Sequence, residues 1–389
     1  MSRRPFRVIM NYHFDVISRR GELSAYNADL WKRDLDALRQ NGFTGVVSNV
    51  VLWGDGRSGI APYDPLDVQQ RFMDCCREAG LTVMLVPPLM HIPGLMANLP
   101  AERLFSAVDI YGRKMNVPNI LSPRYRRKCL APFLKEIVRN FGGHPAVESY
   151  SFGDYFVGSQ SGFSAEDRRS FARFLRRKYR TVPALNAAHG AAYRSFAAVP
   201  LPRFKSPWTP LWQDFTEARA QWLADYIRDL HAIIRRCDPD RRHRVVFGIM
   251  SWDLFQDKHT VGGISADFLQ ACDVAATSLN FPAEYYPCSL AFTLTDWLFA
   301  TLRRLCPNKD IGVGDIPGTR NRAWNGAGVF PPAREVIAIL ERTLRYGANW
   351  FIIDGYRKSL QQTAVAYRQV YAFHRRELRE LGAFFKSLG

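Results

Sequence analysis

Strand and helix signals alternate along the whole chain, and this alternation constrains the fold more than any other feature. Eight short apolar runs, among them FRVIMNY, TGVVSNVVLW, LTVMLVPP, DIGVGDIPG and ANWFIIDGY, predict strands. Amphipathic segments such as ADLWKRDLDALRQNG and VQQRFMDCCREAG lie between them and predict helices that end at glycine. Uninterrupted apolar strands are typical of parallel sheets that helices cover.

Eight βα units in 389 residues predict an α/β fold of the (β/α)8 TIM barrel type, with a doubly wound open sheet as the alternative. No linker rich in proline, glycine or serine divides the chain, so we expect one domain over residues 1–389. An insertion with two helical stretches is expected after the fourth strand, at about residues 157–208.

The residues that end the predicted strands are the candidate site residues, because barrel active sites lie at the carboxyl ends of the strands. Carboxylates and aromatics dominate there, and both suit a pyranose ring, which offers apolar C–H faces and hydroxyl groups. An aspartate after a strand also commonly forms a turn, and a tryptophan there can simply plug the barrel mouth. The candidates for substrate binding are His13, Trp53, His91, Tyr155, Trp252, Asn280, Tyr285, Trp324, Asp354, Tyr356 and Arg357.

Composition excludes disorder and leaves the meaning of the charge open. With 47% hydrophobic and 13% aromatic residues the chain can bury a large core, and no apolar run is long enough to predict a membrane span. The net charge of +17 comes mostly from arginine, as in EDRRSFARFLRRKYR. An arginine-favouring genome and an acidic ligand, such as a uronate-bearing glycan or a nucleic acid, are the two explanations. Zinc spacing, a glycine-rich arm and interleaved aromatics are absent, so nucleic acid is not an expected partner.

The seven cysteines predict free thiols in a reducing compartment, because their number is odd and their spacing matches no metal site. We therefore expect a cytoplasmic protein, with export after removal of a signal peptide as the alternative. No metal and no cofactor are expected, since the sequence contains no zinc motif, P-loop or nucleophile elbow. A homo-oligomer is compatible with the sequence.

Three segments resemble known barrel enzymes. GGHPAVESYSFGDYF is similar to the fourth-strand segment of clan A glycoside hydrolases, in which a His-Pro opening leads to an Asn-Glu pair whose glutamate is the acid/base. DIGVGDIPG, the tryptophan that follows it and the helix leading into GANWFIIDGYR resemble the last quarter of family 42 β-galactosidase-type enzymes, in which a glutamate ends the seventh strand. DVAATSLNFPAEYYP is similar to the sixth strand of that group. The resemblance covers roughly residues 6–372.

The resemblance implies a glycosidase that cleaves an O-glycosidic bond, with Asp154 at the acid/base position and Asp315 at the nucleophile position. The chain departs from the family pattern because both residues are aspartates and Gly153 replaces the asparagine. The arginine of the second strand is also missing from SNVVLW. A catalytically inactive glycan-binding relative and a metal-dependent barrel enzyme that uses the acidic cluster are the alternatives.

Two aspartates change the expected stereochemistry. Retaining glycosidases hold their carboxyl groups about 5–5.5 Å apart and inverting ones about 6.5–9.5 Å apart. Losing one methylene from each side chain withdraws each carboxyl group by about 1.3 Å and widens the gap by roughly 2–3 Å. Inversion is then expected, with Asp154 as acid and Asp315 as base. If the backbone has moved inward, retention is preserved with Asp315 as the nucleophile.

Overall fold

The computed structural model describes residues 5–12, 28–49, 65–87, 105–151, 162–203, 208–238, 243–249, 269–278, 288–317, 333–356 and 378–388. Eight parallel strands close into a barrel in the order β1-β10-β9-β8-β7-β6-β3-β2. They are β1 (Arg7–Tyr12), β2 (Gly45–Asn49), β3 (Thr82–Val86), β6 (Val147–Ser151), β7 (Arg244–Ile249), β8 (Val274–Ser278), β9 (Asp310–Pro317) and β10 (Ala348–Tyr356). The closed sheet confirms the predicted (β/α)8 barrel.

Helices lie between the strands in sequence and cover the barrel from outside. They are α1 (Ala28–Gln40), α2 (Pro65–Glu78), α3 (Ala131–Phe141), α4 (Ala165–Tyr179), α5 (Val182–His189), α6 (Pro210–Cys237), α7 (Cys288–Leu305), α8 (Ala333–Arg345) and α9 (residues 378–388). A helical turn (Pro123–Tyr125) and a π-helical turn (Arg126–Leu130) lead into α3. Gly42, Gly80 and Gly347 follow α1, α2 and α8 with positive φ values, which glycine adopts without steric cost.

The strands alternate between two cores. One face of each strand packs against the helices in a large shared core, which includes Ile311 and Val313 of β9. The other face fills the barrel, with Ile9, Val47, Met84, Val246, Val274, Ala276 and Trp350 at its centre. A Cβ atom on Gly312 would lie 2.6 Å from the Cβ of Ala276, so this inward position of β9 accepts only glycine without rearrangement.

Ion pairs close the amino end of the barrel. Arg7 of β1 pairs with Glu148 of β6, and the Thr82 hydroxyl of β3 donates to Glu148 at 2.7 Å. Arg244 of β7 similarly pairs with Asp310 of β9 at 2.7 Å. Because these contacts join strands that are distant in sequence, they stabilise the closed sheet at the end opposite the expected active site.

Two additions extend the carboxyl side of the barrel. The sequence predicts no regular element between residues 91 and 123, but an antiparallel hairpin forms there from β4 (Ser106–Val108) and β5 (Lys114–Pro118). Its turn is held by Asp109, whose carboxylate accepts from the amides of Tyr111 and Arg113. The expected insertion after the fourth barrel strand contains the two predicted helices, α4 and α5, and a 3-10 turn (Phe196–Ala198).

Side chains are described for six of the seven cysteines, all except Cys288, and these six are free thiols. Cys75, Cys76, Cys272 and Cys306 are buried, and Cys129 and Cys237 are half-buried. Burial raises the pKa of the Cys272 thiol to about 12. Over the same residues, none of the helices has the length and apolar character needed to cross a bilayer.

Candidate active site

All eight barrel strands are parallel, so their carboxyl ends meet at one mouth. Three candidate residues lie on described strands: Asp315 on β9, and Asp354 and Tyr356 on β10. The others lie outside the described residues: His13, Trp53, His91, Asp154, Tyr155, Trp252, Asn280, Tyr285, Trp324 and Arg357. Their roles therefore remain predictions.

The backbone is irregular where β9 carries Asp315. Val313 pairs with Phe351 and Ile316 pairs with Ile353. Between these two pairs β9 advances by three residues and β10 by two. This register is that of a β-bulge with one extra residue on β9. Such bulges are frequent beside active sites, where they change the direction of a side chain.

A second irregularity lies on β10. Met10 of β1 pairs with Ile353, and Tyr12 pairs with Tyr356. Between these two pairs β1 advances by two residues and β10 by three. The extra residue of β10 therefore lies in the segment Asp354–Gly355. The two acidic positions of the last two strands therefore both coincide with a break in register.

The residues beneath the mouth are fixed by contacts with the helix layer. The Tyr12 hydroxyl donates to the carboxylate of Asp34 on α1 at 2.8 Å, and both side chains are buried. On the neighbouring strand, Gln69 of α2 donates to the Ser48 hydroxyl at 2.9 Å. These contacts orient the ends of β1 and β2 against their helices.

A buried polar network joins the hairpin to the insertion. Asn119 donates to both carboxylate oxygens of Asp167 at 3.0 Å, and the Ser122 hydroxyl donates to Glu166 at 2.7 Å. Burial raises the pKa of the Asp167 carboxyl against the opposing effect of these hydrogen bonds. Because α4 begins shortly after the segment that contains Asp154, the network fixes one end of that segment.

Within the described part of the chain, no group of three or more histidine, cysteine, aspartate or glutamate side chains could hold a metal ion. The acidic candidates at the mouth have side chains outside that part, so this finding does not bear on the metal-dependent alternative.

Sequence reasoning identified the acidic positions but missed the two bulges. The only signal for them is a glycine beside each acid, Gly314 before Asp315 and Gly355 after Asp354. Glycine inside a strand often marks a bulge. The hairpin was missed because β4 has only three residues and β5 has five, too few for a clear alternation.

Comparison with known proteins agrees with this architecture. A beta-galactosidase from Arthrobacter sp. is 27% identical over 239 residues, which are 55% of this chain and 33% of that protein. The crystal structure of a cold-adapted beta-galactosidase from Rahnella sp. R3 superposes with a TM-score of 0.76 at 15% identity, covering 100% of this chain and 57% of that one. A beta-galactosidase from the psychrophilic Marinomonas ef1 gives a TM-score of 0.71 at 19% identity, covering 94% and 59%.

The chain spans between a third and three fifths of the length of these relatives. The two crystal structures support the barrel fold alone, because their sequence identity is low. The family model for glycosyl hydrolase family 42, described as beta-galactosidase, matches residues 24–277, which are 254 of the 389 residues. The chain therefore belongs to glycoside hydrolase family 42, as the resemblance in its fourth, sixth, seventh and eighth barrel strands predicts.

Proposed function

We propose that this protein is a glycosidase that hydrolyses a β-galactoside or a related O-glycoside, with Asp154 as the acid/base and Asp315 as the nucleophile. The observation that carries the proposal is the family match to a chain whose eight strands form the family's barrel. The relatives named above are beta-galactosidases. That activity is therefore the first to test.

The register of β9 supports the assignment of Asp315. Ile311 and Val313 pack against the helices, so strict alternation would put position 315 in the same helix-facing series. The extra residue between Val313 and Ile316 interrupts that alternation at the position of Asp315, so the strict pattern does not assign it to the helix layer.

The order of the strands supports the pairing of the two aspartates. Strand pairing connects Ser151 of β6 with Asp310 of β9 by way of the two strands between them, β7 and β8. In sequence, Asp154 lies three residues beyond Ser151 and Asp315 five residues beyond Asp310. The segment that contains Asp154 therefore begins at the end of the barrel toward which β9 runs.

Two chemical steps follow from these roles. In the first, the Asp154 carboxylic acid protonates the glycosidic oxygen while the Asp315 carboxylate attacks the anomeric carbon, which releases the alcohol and leaves a glycosyl ester on Asp315. In the second, the Asp154 carboxylate accepts a proton from water as the water attacks the anomeric carbon. The ester bond breaks, the sugar leaves with its original configuration, and both carboxyl groups return to their starting states.

Family membership bears on the stereochemistry. Family 42 enzymes retain the anomeric configuration. Of the two outcomes open to a pair of aspartates, this favours retention over the inversion expected from side-chain length alone. Retention requires the backbone to bring the shorter side chains together, and the bulge in β9 changes the backbone at the position of Asp315.

An inactive glycan-binding barrel is the second candidate. The specific observations in its favour are the two aspartates at the catalytic positions and Gly153 at the position of the asparagine. A metal-dependent barrel enzyme is the third, and it predicts activity that a chelator abolishes.

The test is turnover of a panel of aryl glycosides, headed by aryl β-D-galactosides, by the wild type and by Asp154→Asn and Asp315→Asn. We expect each substitution to lower kcat by at least about a hundredfold, the usual range for a catalytic acid or nucleophile. Asp36→Asn, which changes an exposed carboxylate on α1, is the matched control and should leave kcat unchanged.

Four results would contradict the proposal. Sugar-dependent stabilisation without turnover would support the glycan-binding alternative. Loss of turnover in EDTA would support the metal-dependent one. Undiminished turnover by either asparagine variant would exclude that aspartate from catalysis. Proton NMR of the first-formed anomer reports the stereochemistry, and a product of opposite configuration would contradict the nucleophilic role of Asp315.

A further inference from the structure

Helix α4 carries a row of exposed arginines along one face. At 100° per residue, four of them fall within an arc of about 100°, and the fifth, Arg180, caps the carboxyl end of the helix with a φ of 64°. The opposite face buries Phe171, Phe174 and Leu175 against the rest of the protein. The row, called here the arginine stripe, consists of Arg169, Arg173, Arg176, Arg177 and Arg180, all of them exposed.

Several arginines on other helices pair with acidic residues, whereas those of the stripe, within the described part of the chain, do not. Arg71 pairs with Asp67 at 2.8 Å and Arg139 pairs with Glu136 at 2.7 Å, each one turn away on the same helix. Among the described residues, none of the five stripe arginines forms an ion pair. An arginine-favouring genome explains frequent arginine, but it does not by itself explain why five arginines without ion pairs line up along α4 and its carboxyl cap.

Neutral groups hold part of the stripe in place. Arg173 donates to the Ser170 hydroxyl at 2.9 Å, and Arg177 donates to the side-chain oxygen of Gln221 on α6 at 3.1 Å. The guanidinium of Arg176 lies over the ring of Phe196 at 5.8 Å from its centroid. These contacts orient three guanidinium groups without neutralising their charge.

The helix dipole accounts for only part of the arrangement. Cations are favoured in the last turn of a helix, which explains Arg176 and Arg177. Arg169 and Arg173 lie in the first ten residues of a 15-residue helix, where the dipole gives little stabilisation. The stripe extends over 11 residue steps, or about 16 Å along the helix axis.

The stripe belongs to the mouth side of the barrel. Helix α6 has 28 residues, about 42 Å, and it returns to the amino end of β7. A barrel strand of six residues spans only about 20 Å, so the amino-terminal part of α6 extends past the carboxyl ends of the strands. Lys178 of α4 contacts Asp214 in the second turn of α6 at 2.8 Å, which places α4 beside that part.

We propose that the arginine stripe binds an acidic polysaccharide, one that carries carboxylate or sulfate groups along its chain. Guanidinium groups bind such anions in bidentate pairs. Nucleic acid is the less suitable polyanion, because single strands bind to exposed aromatic platforms. Among the residues that the structure describes, Phe196 is the aromatic ring that lies against the stripe, and it is buried. The choice of a glycan over other anions rests on the proposed function, but the binding itself requires no turnover.

The test measures binding of the whole protein to a fluorescent polygalacturonate oligosaccharide. The stripe variant is Arg169→Gln/Arg173→Gln/Arg177→Gln, and the matched control is Arg39→Gln/Arg127→Gln/Arg304→Gln, which removes three exposed arginines from other helices. We expect the stripe variant to raise Kd by about 10- to 100-fold and the control by less than about threefold. Replacing the same three stripe residues by lysine should preserve most of the binding.

The dependence on salt gives a second readout. Loss of three ion pairs should reduce the slope of log K against log salt by about 2 to 3 in magnitude. A neutral galactan oligosaccharide should bind the wild type and the stripe variant equally. Asp315→Asn should bind polygalacturonate like the wild type, so a failure of the catalytic proposal is distinguishable from a failure of this one.

Two results would overturn the proposal. In one, the stripe variant binds polygalacturonate as tightly as the control variant does. In the other, single-stranded DNA of equal charge binds more tightly than polygalacturonate and is the ligand that the stripe variant loses. The second result would assign the stripe to nucleic acid.

Discussion

At the scale of single residues, the account depends on the length of two acidic side chains. An aspartate in place of a glutamate withdraws the carboxyl group by about one bond length, and a misplacement of about 1 Å can cost on the order of a hundredfold in rate. Retention with Asp315 as the nucleophile therefore requires a backbone adapted to the shorter side chain.

Asp315→Glu tests this adaptation. If the backbone compensates for aspartate, the longer side chain pushes the carboxylate past its productive position, and kcat/KM for an aryl glycoside should fall by about a hundredfold. Asp36→Glu on the exposed face of α1 is the matched control. An increase in kcat/KM for Asp315→Glu would show instead that the native gap is too wide.

A different aspartate makes stability depend on pH. Burial acts to raise the pKa of Asp273, but hydrogen bonds from His231 and the Val245 amide, with the charge of Arg235, lower it to about 2. This folded value lies below the unfolded value of about 3.9, so the contribution to stability is complete above about pH 4 and is lost as pH falls toward 2.

Asp273→Asn should therefore lower the free energy of unfolding at pH 7 by on the order of 2 kcal/mol. Urea unfolding at several pH values measures the effect, and the difference from the wild type should shrink between pH 4 and pH 2. Asp225→Asn, which changes a half-buried carboxylate paired with Arg228 on the same helix, serves as the control. A difference that stays constant over this range would contradict the assignment.

At the scale of elements, the sequence predicts most of the barrel because its signals are local. The apolar run of β3 has 5 residues and the amphipathic pattern of α1 has 13, so both patterns are local. The pair Arg7–Glu148 joins residues 141 positions apart, and no local pattern contains it. The β9 bulge likewise depends on how two strands pair, so the sequence identifies Asp315 as a candidate without predicting its register.

No local sequence pattern predicts the contact between the hairpin and the insertion. This contact leads to a testable prediction. Asn119 is buried, donates to Asp167, and accepts from the Leu121 amide at 3.2 Å. Asn119→Ala should destabilise the protein by about 1–3 kcal/mol, because it leaves buried groups without hydrogen bonds.

Urea unfolding measures the effect, with Asn140→Ala as the matched control. Asn140 is exposed and contacts only Glu136 among the described residues, at 3.3 Å, so its loss should cost less than about 0.5 kcal/mol. Equal effects of the two substitutions would show that the Asn119 network does not hold the insertion in place.

At the scale of the whole molecule, the two ends of the barrel differ in chemistry. The amino end is closed by ion pairs between strands, including Arg244–Asp310. The carboxyl end carries the acidic positions, the two bulges and the inserted helices with the arginine stripe. The sequence predicts which residues end the strands, whereas the asymmetry between the ends appears only when the barrel closes.

The most direct test of the central claim is to trap the glycosyl ester. A 2-deoxy-2-fluoro-β-D-galactoside with a good leaving group slows the second step more than the first, so the sugar should remain on the enzyme. Mass spectrometry of a peptide digest is expected to find the label on the peptide containing Asp315 in the wild type and no label in Asp315→Asn. A label on a different carboxylate, or hydrolysis of this glycoside with no covalent adduct at any time, would contradict the account.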